Sequence, residues 1–295
     1  MSGGMDRKVK IKLADDAGFC SGVRRAIKII REMARREGRA LSYGDLIHNR
    51  RVMAEMESLG VKVIQEVSEV DGPTVTRAHG ITSRERRQLM NSGFEVIDAT
   101  CPLVNSIKDG IDKAYGAGAL VVILGNPVHV EVVGLVDGRL DIIVARSAED
   151  LDQDDLIAKL EQAEKVALFS QSTQRSDHFD RLAEKLCEIN PNTKLHNTIC
   201  KPTKARQAGA VRLAGDADVM IVVGDEHSSN SKRLVETAAE IVVTHRVSGA
   251  DDIRPEWFDD DISLVGVAAG ASAPDRTISE VLNKLQEMLE GEIVT

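Results

Sequence analysis

The sequence predicts an α/β fold built from three similar domains with mainly parallel sheets. Short, β-branched apolar runs recur along the 295 residues, and helical patterns stand between them. Continuous apolar runs are typical of parallel strands buried on both faces, and regular alternation of strand and helix is typical of parallel sheets. A coarse repeat of strand, polar loop, helix and strand indicates three such units around a shared centre.

The individual elements follow from local patterns. The predicted strands are, in chain order, KVKIKLA, GVKVI, PTVTRA, FEVID, ALVVILG, DIIVA, KVALFS, DVMIVVG and SLVGVAA. Helices are predicted where apolar residues share one face, as Leu103, Ile107, Ile111 and Ala114 do. The last helix is expected to begin at SAPD, with Ser272 as a cap-type serine and an early proline.

The repeat sets the expected domain boundaries. The first domain is predicted at 21–101 and the second at 102–196, and the third combines 1–20 with 197–295, including the C-terminal helix. Because the repeats are similar in architecture more than in sequence, they indicate related units and leave their chemistry open.

Composition excludes several classes of protein. A net charge of -9 and an aromatic content of 3% argue against a nucleic-acid binder. No apolar run approaches the roughly 20 residues of a membrane helix, and the first residues contain no apolar signal core. Four widely spaced cysteines do not form a secreted disulfide framework. The expected compartment is the cytoplasm, with neither nucleic acid nor membrane as a partner.

Three cysteines occupy the same kind of position. Cys20, Cys101 and Cys200 each stand where a strand gives way to a helix. A helix N-terminus stabilises a thiolate, and thiolates bind soft metals. Small buried core residues and zinc ligands are the alternatives, but CxxC pairs are absent. An iron–sulfur cluster held by three thiolates would leave one iron without a protein ligand. Cys187 lies on the apolar stripe of its helix and is predicted to belong to the core.

The loops that follow the strands carry the remaining candidates, because ligands of α/β proteins gather beyond the carboxyl ends of strands. These candidates are His48, His79, His129, Glu131, Ser172, Thr173, Ser228, Ser229, Asn230 and Ser272. Neutral His, Ser and Asn donors together with helix starts can hold a diphosphate. Glu131 is the one carboxylate of the set and the expected proton donor. The other four histidines are interpreted as structural or surface residues: His178, His196, His227 and His245.

Seven short motifs, in this order and spacing, resemble one known family. They are GFCSGV, LIHN, AHGI, DATCPLV, HVEVVG, SSNS and GASAP. Together they closely resemble the 4-hydroxy-3-methylbut-2-enyl diphosphate reductase (IspH/LytB) family, from about Lys8 to about Gly291. Only the combination is specific, since none of the motifs would suffice alone.

The resemblance implies a fold, a cofactor and a reaction. It implies three α/β domains around a central [4Fe-4S] cluster that is held by Cys20, Cys101 and Cys200, with one iron lacking a protein ligand. The implied oxidoreductase removes the allylic hydroxyl of its diphosphate substrate with two electrons and two protons. The products are isopentenyl and dimethylallyl diphosphate, at the end of the non-mevalonate isoprenoid pathway. Ferredoxin or flavodoxin is the implied electron donor.

The resemblance also assigns roles to individual residues. It implies substrate binding by His48, His79, His129, Ser228, Ser229, Asn230 and Ser272. It implies catalytic roles for Glu131, His129, Ser172 and Thr173. Two positions depart from the family pattern: Val130 replaces a usual proline, which removes a backbone restraint, and Ser172 replaces a threonine, which keeps the hydroxyl and loses a methyl group.

Three other functions remain open at this stage. The first is an enzyme of the same fold that acts on another hydroxylated substrate, including a dehydratase that needs no net electrons. The second is a non-catalytic cluster-binding sensor, for which the cysteines alone would suffice, so a retained Glu131 argues against it. The third is a zinc protein, which an absorption spectrum of anaerobically purified protein would distinguish.

Overall fold

The computed structural model describes residues 8–294 and confirms an α/β fold with parallel sheets. The predicted third domain therefore includes residues 1–7 and 295, which lie outside the described part of the chain. The strands are β1 (Lys10–Leu13), β2 (Ala40–Tyr43), β3 (Val61–Ile64), β4 (Thr74–Thr76), β5 (Val96–Ile97), β6 (Leu120–Leu124), β7 (Ile143–Ala145), β8 (Val166–Ser170), β9 (Thr193–Leu195), β10 (Val219–Val223), β11 (Thr244–Val247), β12 (Leu264–Ala269) and β13 (Glu292–Val294).

Helices alternate with these strands along the chain. The α-helices are α1 (Ser21–Glu37), α2 (Arg50–Ser58), α3 (Ser83–Met90), α4 (Pro102–Gly116), α5 (Val130–Val136), α6 (Asp154–Gln162), α7 (Ser176–Ile189), α8 (Lys201–Ala214), α9 (Ser229–Ala239) and α10 (Asp275–Met288). Within residues 8–294, none of these helices combines the length and the apolar character that crossing a membrane requires.

The chain divides into two compact units. Unit 1 comprises Met1–Cys20, His48–Val52 and Lys201–Thr295, and unit 2 comprises Ser21–Ile47 and Met53–Cys200. Unit 1 contains one five-stranded sheet, and unit 2 contains two four-stranded sheets. The three-domain boundaries inferred from the repeat stay a prediction.

The sheet of unit 1 has the strand order β11-β10-β12-β1-β13, and all its pairings are parallel. Strands β10 and β12 of this sheet are buried on both faces. Ile221 and Val267 pack on one face with apolar residues of α10, and Met220 and Val222 pack on the other with those of α8 and α9. Such two-sided burial explains why the strand sequences are continuous apolar runs.

The two sheets of unit 2 have the orders β3-β2-β4-β5 and β7-β6-β8-β9, again wholly parallel. The second sheet also has a core on each face. Phe169 packs with Ile107 and Ile111 of α4 on one face, and Leu168 packs with Leu186 of α7 on the other.

Some local predictions were wrong for identifiable reasons. Strand β2 was not predicted because Ser42 interrupts its apolar run, yet Ser42 is fully buried and its hydroxyl donates to the carbonyl oxygen of Gly44 at 2.7 Å. On α4 the residues Val104, Ile107 and Ile111 are buried, whereas Leu103, which was predicted on that face, is 44% exposed. Helix α10 begins at Asp275 with Pro274 as its N-cap, so Ser272 does not cap it.

A close approach of α9 to the sheet of unit 1 depends on two glycines at strand ends. Gly224 follows β10 and Gly270 follows β12, and Ser231 of α9 lies between them with no exposed surface. A Cβ on Gly224 would lie 2.0 Å from Ser231 Oγ, and a Cβ on Gly270 would lie 2.2 Å from the same atom. Only glycine lets the helix begin this close to the strand ends.

We expect Gly270→Ala to lower the free energy of unfolding by about 1–3 kcal/mol, because it overpacks a buried site. In a Ser231→Ala background the cost should shrink, since the nearest remaining side-chain atom of residue 231 is Cβ, at 3.3 Å. Urea unfolding of the four proteins of this double-mutant cycle measures the coupling. Gly116→Ala, where nothing lies within 4 Å of the added Cβ, is the control, and equal costs of Gly270→Ala in both backgrounds would contradict the proposed clash.

Candidate active site

The predicted placement of the three cysteines is confirmed. Cys20, Cys101 and Cys200 immediately precede α1, α4 and α8. The first turns of these helices contain no acidic residue. The backbone N–H of each cysteine donates to a loop carbonyl, and the acceptors are Ala271 at 3.2 Å, Ala78 at 2.9 Å and Ser172 at 3.0 Å, respectively. The helix starts and the missing acids favour negative charge at all three sulfurs, which fits thiolate ligands.

A site for a single metal ion is not found in the part of the chain that the structure describes. No three His, Cys, Asp or Glu side chains within residues 8–294 are grouped so that they could hold one ion. A zinc ion needs its ligands to converge on one point, whereas the thiolates of an iron–sulfur cluster bind different irons. Cys187 is partly exposed rather than buried, so its assignment to the core holds only in part.

Glu131 is a buried acid in the first turn of α5, where the sequence suggested a loop residue. It is 1% exposed. The backbone N–H of Ser172 donates to Oε1 at 2.6 Å and the Ser172 hydroxyl donates to Oε2 at 2.8 Å. Burial raises the pKa of Glu131 from 4.5 to about 7, and the two hydrogen bonds from Ser172 act against that rise. The carboxyl group can therefore hold a transferable proton near neutral pH.

His129 fixes the start of α5. It is the N-cap residue, and its Nδ1 accepts a hydrogen bond from the backbone N–H of Glu131 at 3.1 Å. A neutral imidazole that accepts at Nδ1 carries its proton on Nε2, so Nε2 is a donor. Val130 is the first residue of the helix, a position that suits proline. The cap keeps Glu131 in place although the restraint of a proline is missing.

Several predicted site residues meet within unit 2. The rings of His79 and His129 contact edge to face, with 5.7 Å between their centroids. His79 adjoins Ala78, whose carbonyl oxygen accepts from Cys101, and Ser172, the partner of Glu131, accepts from Cys200. Hydrogen bonds and ring contacts thus connect two cysteines, two histidines and the buried acid in one continuous cluster.

Gln171 was not proposed as a site residue, although it lies beside Ser172. It is 2% exposed. Its Oε1 accepts from the backbone N–H of Asn126 at 3.2 Å, and its Nε2 donates to the Thr173 hydroxyl at 3.1 Å. Gln171 therefore joins the loop after β6 to the loop after β8. A polar residue directly after a buried strand was the available signal.

The candidates for diphosphate binding lie together in unit 1. Ser228 is the N-cap of α9, and its Oγ accepts from the backbone N–H of Ser231 at 3.3 Å. The Ser272 hydroxyl donates to Ser228 Oγ at 3.3 Å. Asn230 is 5% exposed, and its Nδ2 has no hydrogen-bond partner within the described residues. A helix start with a buried, unsatisfied amide donor suits an anionic ligand.

Asn49 and Asp225 anchor the His48 segment in unit 1. Neither residue was predicted from the sequence. Asn49 Nδ2 donates to the carbonyl oxygen of Ser272 at 2.7 Å. The backbone N–H of Arg50 donates to Asp225 at 3.1 Å, and Asp225 also accepts from the backbone N–H of His227 at 2.9 Å. These contacts fix the residues that flank His48 to the loops that carry Ser228 and Ser272.

The other histidines have packing or surface environments. His196 stacks on Phe169 with 4.5 Å between ring centroids, and His245 stacks on Trp257 at 4.1 Å. The side chain of His227 is 65% exposed.

The raised pKa of Glu131 predicts a pH dependence of stability. The folded protein holds this proton up to about pH 7, whereas an unfolded chain releases it near pH 4.5. Folding therefore binds a proton in this window, and the Glu131 contribution to the free energy of unfolding falls by about 3 kcal/mol as the pH rises through it. Glu131→Gln mimics the protonated acid, so the variant should gain stability relative to wild type from pH 4.5 to 7 in urea unfolding.

Glu85→Gln is the matched control. Burial alone would raise the pKa of Glu85, but hydrogen bonds from Thr82 and Tyr43 and the charge of Arg77 hold it below its ordinary value. Its linkage to folding therefore acts only at lower pH, and its stability relative to wild type should stay constant between pH 5 and 7.5. A constant difference for Glu131→Gln over the same range would contradict the raised pKa.

Comparison with known proteins agrees with this architecture. The family model described as LytB protein matches residues 11–286. The 4-hydroxy-3-methylbut-2-enyl diphosphate reductase of Geobacter metallireducens is 37% identical over 283 residues, covering 95% of this chain and 98% of the relative. The enzyme of the same name from Aquifex aeolicus is 34% identical, covering 97% and 99%.

Two solved structures are similar in fold. The E-1-hydroxy-2-methyl-but-2-enyl-4-diphosphate reductase of Plasmodium falciparum superposes with a TM-score of 0.85 at 24% identity, covering 95% of this chain and 88% of that one. A structure of (E)-4-hydroxy-3-methyl-but-2-enyl diphosphate reductase, described as the terminal enzyme of the non-mevalonate pathway, gives a TM-score of 0.67 at 32% identity, covering 95% and 99%. With a family match along nearly its whole length, the chain belongs to the LytB family.

Proposed function

We propose that the chain is a 4-hydroxy-3-methylbut-2-enyl diphosphate reductase. The reaction breaks the allylic C–O bond, releases the hydroxyl as water, and uses two electrons and two protons to give isopentenyl or dimethylallyl diphosphate. The observation that carries the proposal is Glu131, a buried acid with a pKa of about 7 that is held by Ser172 beside His129. A merely structural carboxylate is rarely buried without a cationic partner.

We assign the cofactor to the three helix-start cysteines. The LytB family depends on iron–sulfur chemistry, and Cys20, Cys101 and Cys200 are the proposed ligands of a [4Fe-4S] cluster with one iron free of protein ligands. Such a cluster supplies electrons one at a time and, at its open iron, a Lewis acid that makes a hydroxyl a better leaving group. The helix starts favour the thiolate form that ligation requires.

The diphosphate would be held by neutral donors. Asn230 and Ser228 lie at the start of α9, and Ser272 contacts Ser228. The remaining proposed substrate-binding residues are His48, His79, His129 and Ser229. Backbone N–H groups at a helix start favour an anion without the need for lysine or arginine, which agrees with the acidic charge balance of the chain.

Proton delivery is assigned to the cluster around Glu131. The protonated carboxyl can donate to the leaving oxygen, because hydroxide leaves poorly and water leaves readily. Ser172 can return a proton to Glu131 or relay one, since its hydroxyl already contacts Oε2 at 2.8 Å. Thr173, whose hydroxyl accepts from Gln171, and His129, with its proton on Nε2, complete the proposed catalytic set.

The electrons would come from a small redox protein, a ferredoxin or a flavodoxin, in the cytoplasm. Turnover with and without a reductant separates the reductase from a dehydratase of the same fold, because a dehydratase needs no net electrons. A sensor would show a cluster spectrum and no turnover, and a zinc protein would show no visible absorption.

The cysteine assignment predicts which cysteine substitutions matter. Cys20→Ser, Cys101→Ser and Cys200→Ser should each abolish cluster binding or activity, because each removes one of only three thiolate ligands. Cys187→Ser is the matched control and should leave the visible spectrum and the iron content unchanged. The measurement is absorption and iron per chain after anaerobic purification. Loss of the cluster in Cys187→Ser would overturn the assignment.

Glu131→Gln should retain the cluster and bind substrate, yet lose about 10²–10⁴ in turnover, the usual range for a general acid. Wild-type turnover should also decline above about pH 7, because Glu131 then loses its proton. Anaerobic steady-state assays with a reduced dye measure both effects. Glu164→Gln, which alters a side chain 85% exposed in the same unit, should behave as wild type. Equal rates for Glu131→Gln and wild type would remove Glu131 from the mechanism.

A further inference from the structure

Asp137 ends α5, the helix whose first turn carries Glu131, and local chemistry does not favour an aspartate at this position. Its φ is +53°, in the left-handed region that glycine adopts more readily than any residue with a Cβ. Its carboxylate also lies at the C-terminal end of a helix, where the free carbonyl groups disfavour negative charge. Contacts with other elements must therefore offset both costs.

The Asp137 carboxylate is held by the start of α3 and by α4. The backbone N–H of Ser83 donates to Oδ1 at 2.6 Å, and the Ser83 hydroxyl donates to Oδ2 at 2.5 Å. Lys108 of α4 pairs with Oδ2 at 3.2 Å and donates to the Ser83 hydroxyl at the same distance. Burial alone would raise the pKa of Asp137, but the hydrogen bonds from Ser83 and the charge of Lys108 hold it below its ordinary value. The ion pair is therefore formed at neutral pH.

These contacts join three helices, each of which follows a candidate site residue. Ser83 is the first residue of α3, four residues after His79. Lys108 lies in α4, seven residues after Cys101. Helix α5, which the aspartate ends, has His129 as its N-cap. All three helices belong to unit 2, so one carboxylate fixes the helices behind three parts of the site relative to one another.

Close packing between α5 and the loop that contains His79 supports the same arrangement. Gly134 of α5 lies against the backbone of this loop, since a Cβ on Gly134 would be 3.6 Å from the carbonyl oxygen of Ile81 and 3.7 Å from the carbonyl carbon of Gly80. The rings of His79 and His129 contact edge to face beside the first turn of α5. The helix thus contacts this segment at its start, at its middle and, through the carboxylate, at its end.

We propose that Asp137 is a positioning residue: its contacts with α3 and α4 fix α5 and thereby hold Glu131 against Ser172. The inference rests on the proposed function, in which Glu131 donates a proton. Helix α5 has only seven residues, so a displacement of its last residue also moves its first turn. Val130 gives that first turn none of the fixed φ of a proline. A catalytic group that is misplaced by about 1 Å can lose about 10²-fold in rate.

The test compares two substitutions of the same residue. Asp137→Gly removes the carboxylate and suits the positive φ, so a residue that served only to end the helix would be replaced without loss of stability. Asp137→Asn keeps the size and tolerates the left-handed conformation, and its Oδ1 can still accept from the Ser83 N–H, but the ion pair with Lys108 is lost. Glu290→Gly is the matched control, because Glu290 is an exposed acidic residue with a φ of +47° shortly after α10.

We expect Asp137→Gly to lower kcat by about 10²-fold while KM and the iron content per chain stay close to wild type, because the proposed diphosphate contacts and the cysteines are retained. Asp137→Asn should lose less, and Glu290→Gly should match wild type. Anaerobic steady-state assays with a reduced dye measure kcat and KM. A wild-type kcat in folded Asp137→Gly would overturn the proposal, whatever the change in stability.

A second measurement does not depend on turnover. Burial raises the pKa of Glu131 to about 7, so a displaced α5 that admits water to this carboxyl should lower the pKa toward 4.5. The gain in stability of Glu131→Gln over its parent between pH 4.5 and 7 should therefore be smaller in the Asp137→Gly background than in wild type. Urea unfolding of the four proteins measures both gains, and equal gains would contradict the positioning role.

If Asp137→Gly does not fold, as judged by circular dichroism, Asp137→Asn decides. A reduced kcat with wild-type iron content then supports the positioning role, and a wild-type kcat overturns it. Absence of turnover in the wild-type protein would instead refute the proposed function, while the unfolding measurements would still report the environment of Glu131, so the two failures are distinguishable.

Discussion

Parallel strand pairing is the constraint on which the rest of the structure depends. In a parallel sheet all carboxyl ends lie at one edge, so the loops that follow them must share that edge. In unit 1 this brings the loops after β1, β10 and β12 together, and with them Cys20, Ser228 and Ser272. In the second sheet of unit 2 the same rule collects Glu131, Ser172 and Cys200, which follow β6, β8 and β9. Residues far apart in sequence become neighbours without any dedicated linking element.

Parallel pairing also makes the burial of Glu131 tolerable, because it brings hydrogen-bond donors to the carboxylate. Glu131 lies at a helix start, and Ser172 offers both a backbone N–H and a hydroxyl from the neighbouring strand end. Burial still dominates, since the pKa rises to about 7 although those hydrogen bonds favour the charged form. The site thus balances a desolvation cost against two strong donors, and the balance leaves the proton mobile near neutral pH. Stronger hydrogen bonds would lower the pKa of Glu131 and keep it ionised at neutral pH, and weaker ones would raise the pKa and keep it protonated.

The sequence predicted the strands with continuous apolar runs and the residues that stand directly after them, because burial on both faces and helix-start chemistry leave local patterns. It did not predict β2, because Ser42 interrupts the apolar run of that strand. It also did not predict the burial of Glu131, which depends on packing around α5. Asn49, Asp225 and Arg206 were also missed. Their hydrogen-bond partners lie 223, 175 and 188 residues away along the chain, respectively. Such contacts leave no periodic signal, and only the folded arrangement reveals them.

Two unsatisfied polar atoms lie where the diphosphate is expected. Among the described residues, Asn230 Nδ2 and Ser231 Oγ are buried without partners, and Glu131, the expected proton donor, is a buried ionisable group. Each unsatisfied polar group costs about 1–3 kcal/mol, a cost that the apolar cores of the three sheets must offset. A ligand that supplies the missing partners binds only the folded state and therefore returns that free energy as stability. The fold consequently tolerates these buried polar groups because its central strands, which are buried on both faces, supply the apolar packing elsewhere.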